Sequence, residues 1–498
     1  MLRLGILAVA FALTPHVLLA QSAAAIPPVR VVGPLGVEAQ SYPFGAADHE
    51  RVPEDLHKVG YVEEEFLVGG IANVYEWSVG GPARVRTPNA PYTTRVLIRR
   101  PASRSRFSGT VIFEPLNPSN RFDLNIGWAI SHAQLVRNGD AWVGVTAKPI
   151  SIVALKAFNP VRYAALSWAN PLVEKDPQNC TTVAADSSRS TENGLLWDVM
   201  RQVAAWVKSR EKSNPLGYGG GEAQRAVARI YAWGYSQSGG FLLTYLNAIH
   251  PLDVKALGKP LFDAYFVGVS GGQTPIHQCA QPPGPDDPRR QIRDAGVPVM
   301  RVMTMSDFLR VDKRPDSDAP PDLFRHYEVA GAAHATPDEL NFAAAPADIV
   351  KAGVMVPPME CNEGPRSRFP NSLAFNAALR NLDEWVRKGV APPRAEPIVV
   401  ENGKPVLDQY GNVKGGVRSP LVDVPTSSWT GSSTGASFCF IAGHEIPFTR
   451  DRLTALYPTK DSYLKAVRRN VADLVARRFL VREDGEELLE DAARGPVQ

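Results

Sequence analysis

The chain has 498 residues, 44% hydrophobic and 21% charged, which is enough apolar material for a large core and excludes a disordered polyampholyte. Its formal net charge is only +3, and no basic patch is visible, so a nucleic-acid partner is not expected. Beyond the N-terminus no stretch approaches the roughly 20 apolar residues that span a bilayer, so no membrane span is expected either.

Residues 1–25 carry a positive charge at Arg3 near their start and continue as an apolar run to Ala20, interrupted by Pro15 and His16, with Ala23 and Ala25 following. This reads as a secretory signal peptide, cleaved after Ala20 or after Ala25, and predicts a secreted or periplasmic protein. Four cysteines remain, Cys180, Cys279, Cys361 and Cys439. An even count in an exported chain predicts disulfides. Of the three ways to join all four, Cys279–Cys361 with Cys180–Cys439 is the first choice. Their spacing fits no zinc pattern, and no H-E-x-x-H is present, so neither a metal nor another cofactor is expected.

Residues 26–60 are punctuated by proline and glycine and read as an extended surface entry. Strand-like runs follow at 60–68, 72–79, 94–99, 109–113 and 141–146, with a helix expected over 123–138. From 148 to 193 no period emerges. A stretch that long inside a compact domain predicts a functional covering, here a wall over the catalytic face. The apolar stripe Leu195, Val199, Val203 and Val207 predicts a helix. Strands are expected at 228–235, 264–269 and 297–304, and a helix over 371–388 is stopped by Gly389 and Pro392-Pro393. Strands alternating with helices imply a mostly parallel sheet covered on both faces, an α/β architecture spanning 26–393. Residues 394–498, rich at first in Gly, Ser, Pro and Val, contain an amphipathic helix over 460–478. They make either a separate small domain or an appendage packed on the core. The appendage is preferred, because so few ordered residues would form a marginal core alone. The oligomeric state is not readable.

Chemistry concentrates at Gly234-Tyr235-Ser236-Gln237-Ser238-Gly239. A Gly-x-Ser-x-small run between a buried strand and a helix has the form of a nucleophile elbow. The serine takes a strained backbone there, so its flanks must be tiny. The helix that follows aims the Gln237 N–H at a developing oxyanion. A serine hydroxyl needs a base. His334, in a loop of small residues after a short strand, is the candidate, with His277 and His250 as rivals. Asp307, just past the strand 297–304, is the candidate orienting acid, with Asp263, Asp338 and Glu339 as alternatives. The order Ser236, Asp307, His334 is that of α/β-hydrolases. The second oxyanion donor is expected in the loop after 109–113. Pro115 and Pro118 lack N–H groups there, which leaves Leu116 and Asn117. Glu114 reads as a structural carboxylate bonded to loop amides rather than a second acid. Tyr235, Trp128, Tyr163 and Trp168 are the candidate substrate-binding aromatics, with core packing as their other reading.

The chain resembles a bacterial family of exported α/β-hydrolase-domain proteins. The resemblance rests on Gly-Tyr-Ser-Gln-Ser-Gly at 234–239, Glu-Val-Ala-Gly-Ala-Ala-His at 328–334, and Trp385-Val386 with Gly389 and Pro392-Pro393. It extends into the tail through Gly411-Asn412, 415–420 and Leu456-Tyr457-Pro458. It implies a carboxylic ester hydrolase acting on a small-molecule ester. Lactone or amide cleavage by the same triad, or a non-catalytic binding protein on this fold, are the alternatives. One departure is Met305, where members often carry a Glu two positions before the aspartate.

Overall fold

The computed structural model describes residues 26–217, 226–311 and 313–497; the expected signal peptide, 1–25, lies outside them. Runs that are apolar at every position suit strands covered on both faces. In chain order the strands of the main sheet are β1 (Arg30–Val32), β2 (Tyr61–Glu76), β3 (Arg84–Pro101), β4 (Thr110–Pro115), β5 (Ala141–Val145), β6 (Arg229–Tyr235), β7 (Ala264–Gly268), β8 (Val299–Thr304), β9 (Ser317–Ala319) and β10 (Asp322–Val329). Across the sheet they run β1-β2-β3-β5-β4-β6-β7-β8-β10-β9. The six from β5 to β10 are mutually parallel, and β4, β5, β7 and β8 are buried along their whole length. The antiparallel members are β1, β2 and β3 at one edge and β9 at the other. The expected runs 60–68 and 72–79 are one strand, and 94–99 is the end of its partner. Alternation breaks around Ala72 and Val74, where the pairing shifts register.

Helices connect the parallel strands: α1 (Ile126–Asn138), α2 (Pro149–Phe158), α3 (Leu196–Lys208) and α4 (Gln237–Thr244). The helix Ser372–Lys388 lies against β7 and β8 and ends at Gly389 in the left-handed region, as its sequence predicts. Its Phe375 ring meets Phe266 edge-on at 5.9 Å. The aperiodic stretch is therefore not wholly irregular, since it opens with α2.

Buried arginines on β3 fix the N-terminal segment. Arg95 pairs with Glu65 at 2.5 Å and donates to the Phe44 carbonyl at 2.6 Å, and Arg99 pairs with Glu50 at 2.8 Å. Charges buried this completely require partners, and each carboxylate here supplies one.

Ile398, Val413, Val417, Val422 and Trp429 belong to the same apolar cluster as the sheet strands. Val417 pairs with Val329 at the end of β10. The amphipathic helix runs Lys460–Ala476, with Thr459 and Ser462 forming a capping box. A further helix, Arg482–Arg494, docks through Asp484 on Arg137 of α1 and Asn376 of the helix Ser372–Lys388.

The disulfide pairing differs from the first choice. Cys180 joins Cys279, and Cys361 joins Cys439. The first ties the segment 148–193 to the loop after β7; the second ties the loop before the helix Ser372–Lys388 to the C-terminal segment. Separation along the chain carries no information about which loops fold over the same end of a sheet.

Candidate active site

Ligands of open parallel sheets gather beyond the carboxyl ends of the strands. The register aligns those ends here: Tyr235 sits beside Gly268, Gly268 beside Val302, and Thr304 beside Val329. The chain leaves these ends at Ser236, Asp307 and His334.

Ser236 stands between β6 and α4 with φ 57° and ψ −120°, a backbone state that is costly for a side-chain-bearing residue. Gly234 is required, because a Cβ there would lie 2.3 Å from the Ser238 carbonyl oxygen. Ser238 replaces the usual glycine at the second flank without clash. Its hydroxyl folds back, accepting the Tyr235 N–H at 2.9 Å and donating to the Tyr235 carbonyl at 3.0 Å. Gln237 opens α4.

His334 Nδ1 lies 2.9 Å from Asp307 Oδ2, and the Thr304 hydroxyl donates to the same oxygen at 2.8 Å. A carboxylate only accepts, so Nδ1 carries the ring proton and Nε2 presents a lone pair. Both side chains are buried, at 6% and 8% exposure for Asp307 and His334. Burial alone pushes the imidazole pKa down. The Asp307 charge and hydrogen bond, with Glu339 assisting, outweigh it, so the net shift is upward from 6.5. The His334 N–H is shared between the Ile441 carbonyl and the Ser306 hydroxyl, each at 3.1 Å. Ser306 in turn donates to the Gly431 carbonyl at 2.6 Å. The C-terminal segment thus cradles the histidine loop. Ser236 is not among the hydrogen-bond partners of His334; the two are coupled through Tyr235, whose hydroxyl donates to the His334 carbonyl at 2.7 Å. Catalytic hydrogen bonds often tighten only when substrate is bound.

The rival residues are engaged elsewhere. Asp263 accepts the Ile230 N–H and pairs with Lys208 at the opposite ends of the strands. Glu339 is held by Arg366 at 3.2 Å, and burial, opposed by Arg366 and His334, lifts its pKa to about 7. His250 uses both nitrogens, on Tyr265 and the Ala295 carbonyl. His277 faces a guanidinium, Arg86, instead of a carboxylate.

The loop after β4 corrects two expectations. The Leu116 N–H donates to the Val145 carbonyl at 2.8 Å and the Asn117 N–H to the Leu124 carbonyl at 2.9 Å, so neither is free for an oxyanion. Asn117 serves the elbow through its side chain, which donates to the Tyr235 carbonyl at 2.8 Å. Ser119, a little farther along, reaches the Gln237 side chain at 3.1 Å. Glu114 is a structural carboxylate as expected, but its amide partners are not in the loop: it accepts from the first-turn N–H groups of α1, Gly127 and Trp128, and from the Trp142 indole.

A cavity of about 740 Å³ opens beside Gln237, walled by Lys148, Cys180 and Asp186 from the segment 148–193 and by His277 and Cys279 from the loop after β7. A second, of about 570 Å³, is lined by Ser119, Ile150, Met355 and Phe438. Neither is lined by the four aromatics expected to bind substrate. Trp128 donates to Glu54 and lies under Arg99; Tyr163 bridges Glu65 and the Phe44 N–H; Trp168 is buried beside the pairing of residues 167 and 93; Tyr235 supports His334. Their bulk is used for packing. Among the described residues no group of three or more His, Cys, Asp or Glu side chains is placed to hold a metal ion.

The family model described as alpha/beta hydrolase domain (Abhydrolase_10) matches residues 31–490. The chain belongs to this family. Solved structures similar to it include fungal esterases from Rhizomucor miehei, at 12% identity, covering 59% of this chain and 81% of that one, with a TM-score of 0.29. An α/β serine hydrolase without a lid from Xanthomonas campestris is 11% identical, covers 53% and 92%, and has a TM-score of 0.26. An esterase from Pyrobaculum calidifontis is 12% identical, covers 50% and 70%, and has a TM-score of 0.24. No curated protein matches the chain.

In this family member, Thr304, Ser306, Asn371 and Ile441 also support the site, and sequence reading missed all four. Thr304 directly precedes the loop of Asp307 and could have been suspected. Ile441, which acts through its carbonyl, could not.

Proposed function

We propose that the protein is an exported serine hydrolase that cleaves a carboxylic ester through an acyl-enzyme. The carrying observation is the 2.9 Å contact of His334 Nδ1 with Asp307, in the same end of the sheet as the strained Ser236 elbow. Ser236 Oγ attacks the carbonyl carbon while His334 Nε2 takes its proton. The imidazolium so formed is stabilised by Asp307, which also holds the tautomer that presents Nε2. The oxyanion is met by the Gln237 N–H at the start of α4, with the helix dipole behind it. Ser119 cannot add a second donor, because its N–H is held by Asn117 Oδ1 at 2.8 Å and its hydroxyl by the Gln237 side chain. His334 then protonates the leaving alcohol, and water repeats the sequence on the acyl-enzyme. Export rests on the N-terminal pattern and on two disulfides, which suit an oxidising compartment. No helix among the described residues is long and apolar enough to cross a membrane.

The test is hydrolysis of nitrophenyl esters of graded acyl length by the wild type, Ser236→Ala and His334→Ala, with fluorophosphonate labelling of intact protein. Turnover and labelling in the wild type, with both lost in Ser236→Ala, are expected. Equal turnover in Ser236→Ala would overturn the reading.

A further inference from the structure

His277 stands in the wall of the cavity beside Gln237 and has no part in the mechanism above. Its Nδ1 accepts the Cys279 N–H at 3.2 Å and faces an Arg86 guanidinium nitrogen at 3.4 Å. Both neighbours can only donate, so the proton of the neutral ring resides on Nε2. Burial, and then the Arg86 charge, depress its pKa to about 4, so the ring remains uncharged throughout the neutral range. The ring's position is also fixed. Arg86 is anchored on the Gln178 carbonyl at 2.5 Å, and a Cβ on Gly194 would already come within 3.0 Å of His277 Cβ. The imidazole is therefore a rigid, uncharged N–H donor.

The neighbouring wall has matching chemistry. Lys148 pairs with Asp186 at the cavity edge. Gln273 and Gln278 line it as well, and Gln273 is fixed by its amide nitrogen, which donates to the Arg289 and Arg290 carbonyls. A ligand hydroxyl both donates and accepts, so it suits a wall that offers the His277 donor beside the Lys148–Asp186 pair.

Resting on the esterase reading, we propose that this cavity holds a polyhydroxylated moiety of the ester, and that His277 Nε2–H is a specificity-determining donor to one of its oxygens. The acyl chemistry at Ser236 is left to the triad; His277 selects what is presented to it.

The experiment compares the butanoate esters of glucose and of 1-hexanol, whose alcohol parts differ chiefly in hydroxyl content. The wild type is expected to favour the glucose ester in kcat/KM. His277→Phe should lower the glucose-to-hexyl ratio about tenfold, the loss of one hydrogen bond, chiefly through KM for the glucose ester. His277→Gln, which restores an N–H near the Nε2 position, should recover part of it. A ratio unchanged by His277→Phe would overturn the proposal. Imidazole nitrogen shifts, recorded in an otherwise wild-type cavity carrying Ser236→Ala, give a check that requires no His277 substitution. A ring protonated on Nε2 alone at pH 6.5 is expected, and an imidazolium there would overturn the assignment. Turnover by Ser236→Ala equal to that of the wild type would instead sink the esterase reading, so the two failures are distinguishable.

Discussion

The Tyr235 hydroxyl donates a 2.7 Å hydrogen bond to the carbonyl oxygen of His334. The residue before Ser236 thereby holds the His334 loop, and its ring lies edge-on to the imidazole at 5.4 Å. Asn371 completes the support by donating to the Ala333 carbonyl at 2.8 Å. Tyr235→Phe keeps the ring contact and removes the bond. It should fold normally and lose about fivefold in kcat with KM little changed, since one neutral hydrogen bond is worth roughly 1 kcal/mol. Steady-state kinetics on a single activated ester decide this.

The acid is the member of the site that sequence left most open. Asp307→Asn should retain the fold but lose on the order of 10⁴-fold in turnover, because an amide no longer enforces the tautomer with Nε2 free. Asp263→Asn, Asp338→Asn and Glu339→Gln serve as comparisons on one activated and one unactivated ester. Collapse of one of these with Asp307→Asn near wild type would move the orienting role away from Asp307.

The pH dependence has a defined sign. His334 must be neutral to accept a proton, and its pKa is raised above 6.5, so kcat/KM should climb with pH along a limb centred above that value. Asp307→Asn, and to a lesser degree Glu339→Gln, should shift the limb downward. For stability the direction reverses. A raised histidine pKa stabilises the folded state below the unfolded value, and this contribution fades as pH rises through the folded pKa. Urea midpoints of Ser236→Ala with and without His334→Gln, compared at pH 6 and pH 9, check the second statement.

The two disulfides should have different kinetic signatures. Cys439 lies in the segment whose Ile441 carbonyl receives the N–H groups of His334 and Ala335. Replacing Cys361 and Cys439 by serine should therefore depress kcat for all esters. Replacing Cys180 and Cys279 loosens the wall of the cavity beside Gln237 and should change discrimination among esters more than turnover. Each loss should cost about 2–5 kcal/mol of stability. Similar effects on kcat from both pairs would contradict this division.

Gly234→Ala tests the elbow itself. The added methyl would lie 2.3 Å from the Ser238 carbonyl oxygen, so backbone must move. A destabilisation of about 1–3 kcal/mol or more is expected from denaturant midpoints, with turnover lost even in the folded fraction.

The resemblance to a sheet with a nucleophile elbow was legible in the sequence because its signals are local. A buried strand, a glycine-serine turn and a helix are each encoded within a few residues, and the order Ser236, Asp307, His334 follows chain order. The helix Ser372–Lys388 was readable for the same reason, from its apolar period and its Gly389 stop. Other features depend on which distant segments meet. The Leu116 and Asn117 amides are consumed by β5 and by their own loop, which no pattern in 109–125 announces. Trp128, Tyr163 and Trp168 have the composition of pocket residues but point into packing, because size and aromaticity alone do not distinguish a wall from a core. Cysteine pairing was misassigned because loops brought together over the sheet's carboxyl end are far apart in sequence. His277 carries no local signal, and only the placement of Arg86 and Cys279 about its Nδ1 determines its tautomer. Short-range chemistry thus determined the fold and the turn at Ser236, while hydrogen bonds between segments distant along the chain decided which groups around it already have partners.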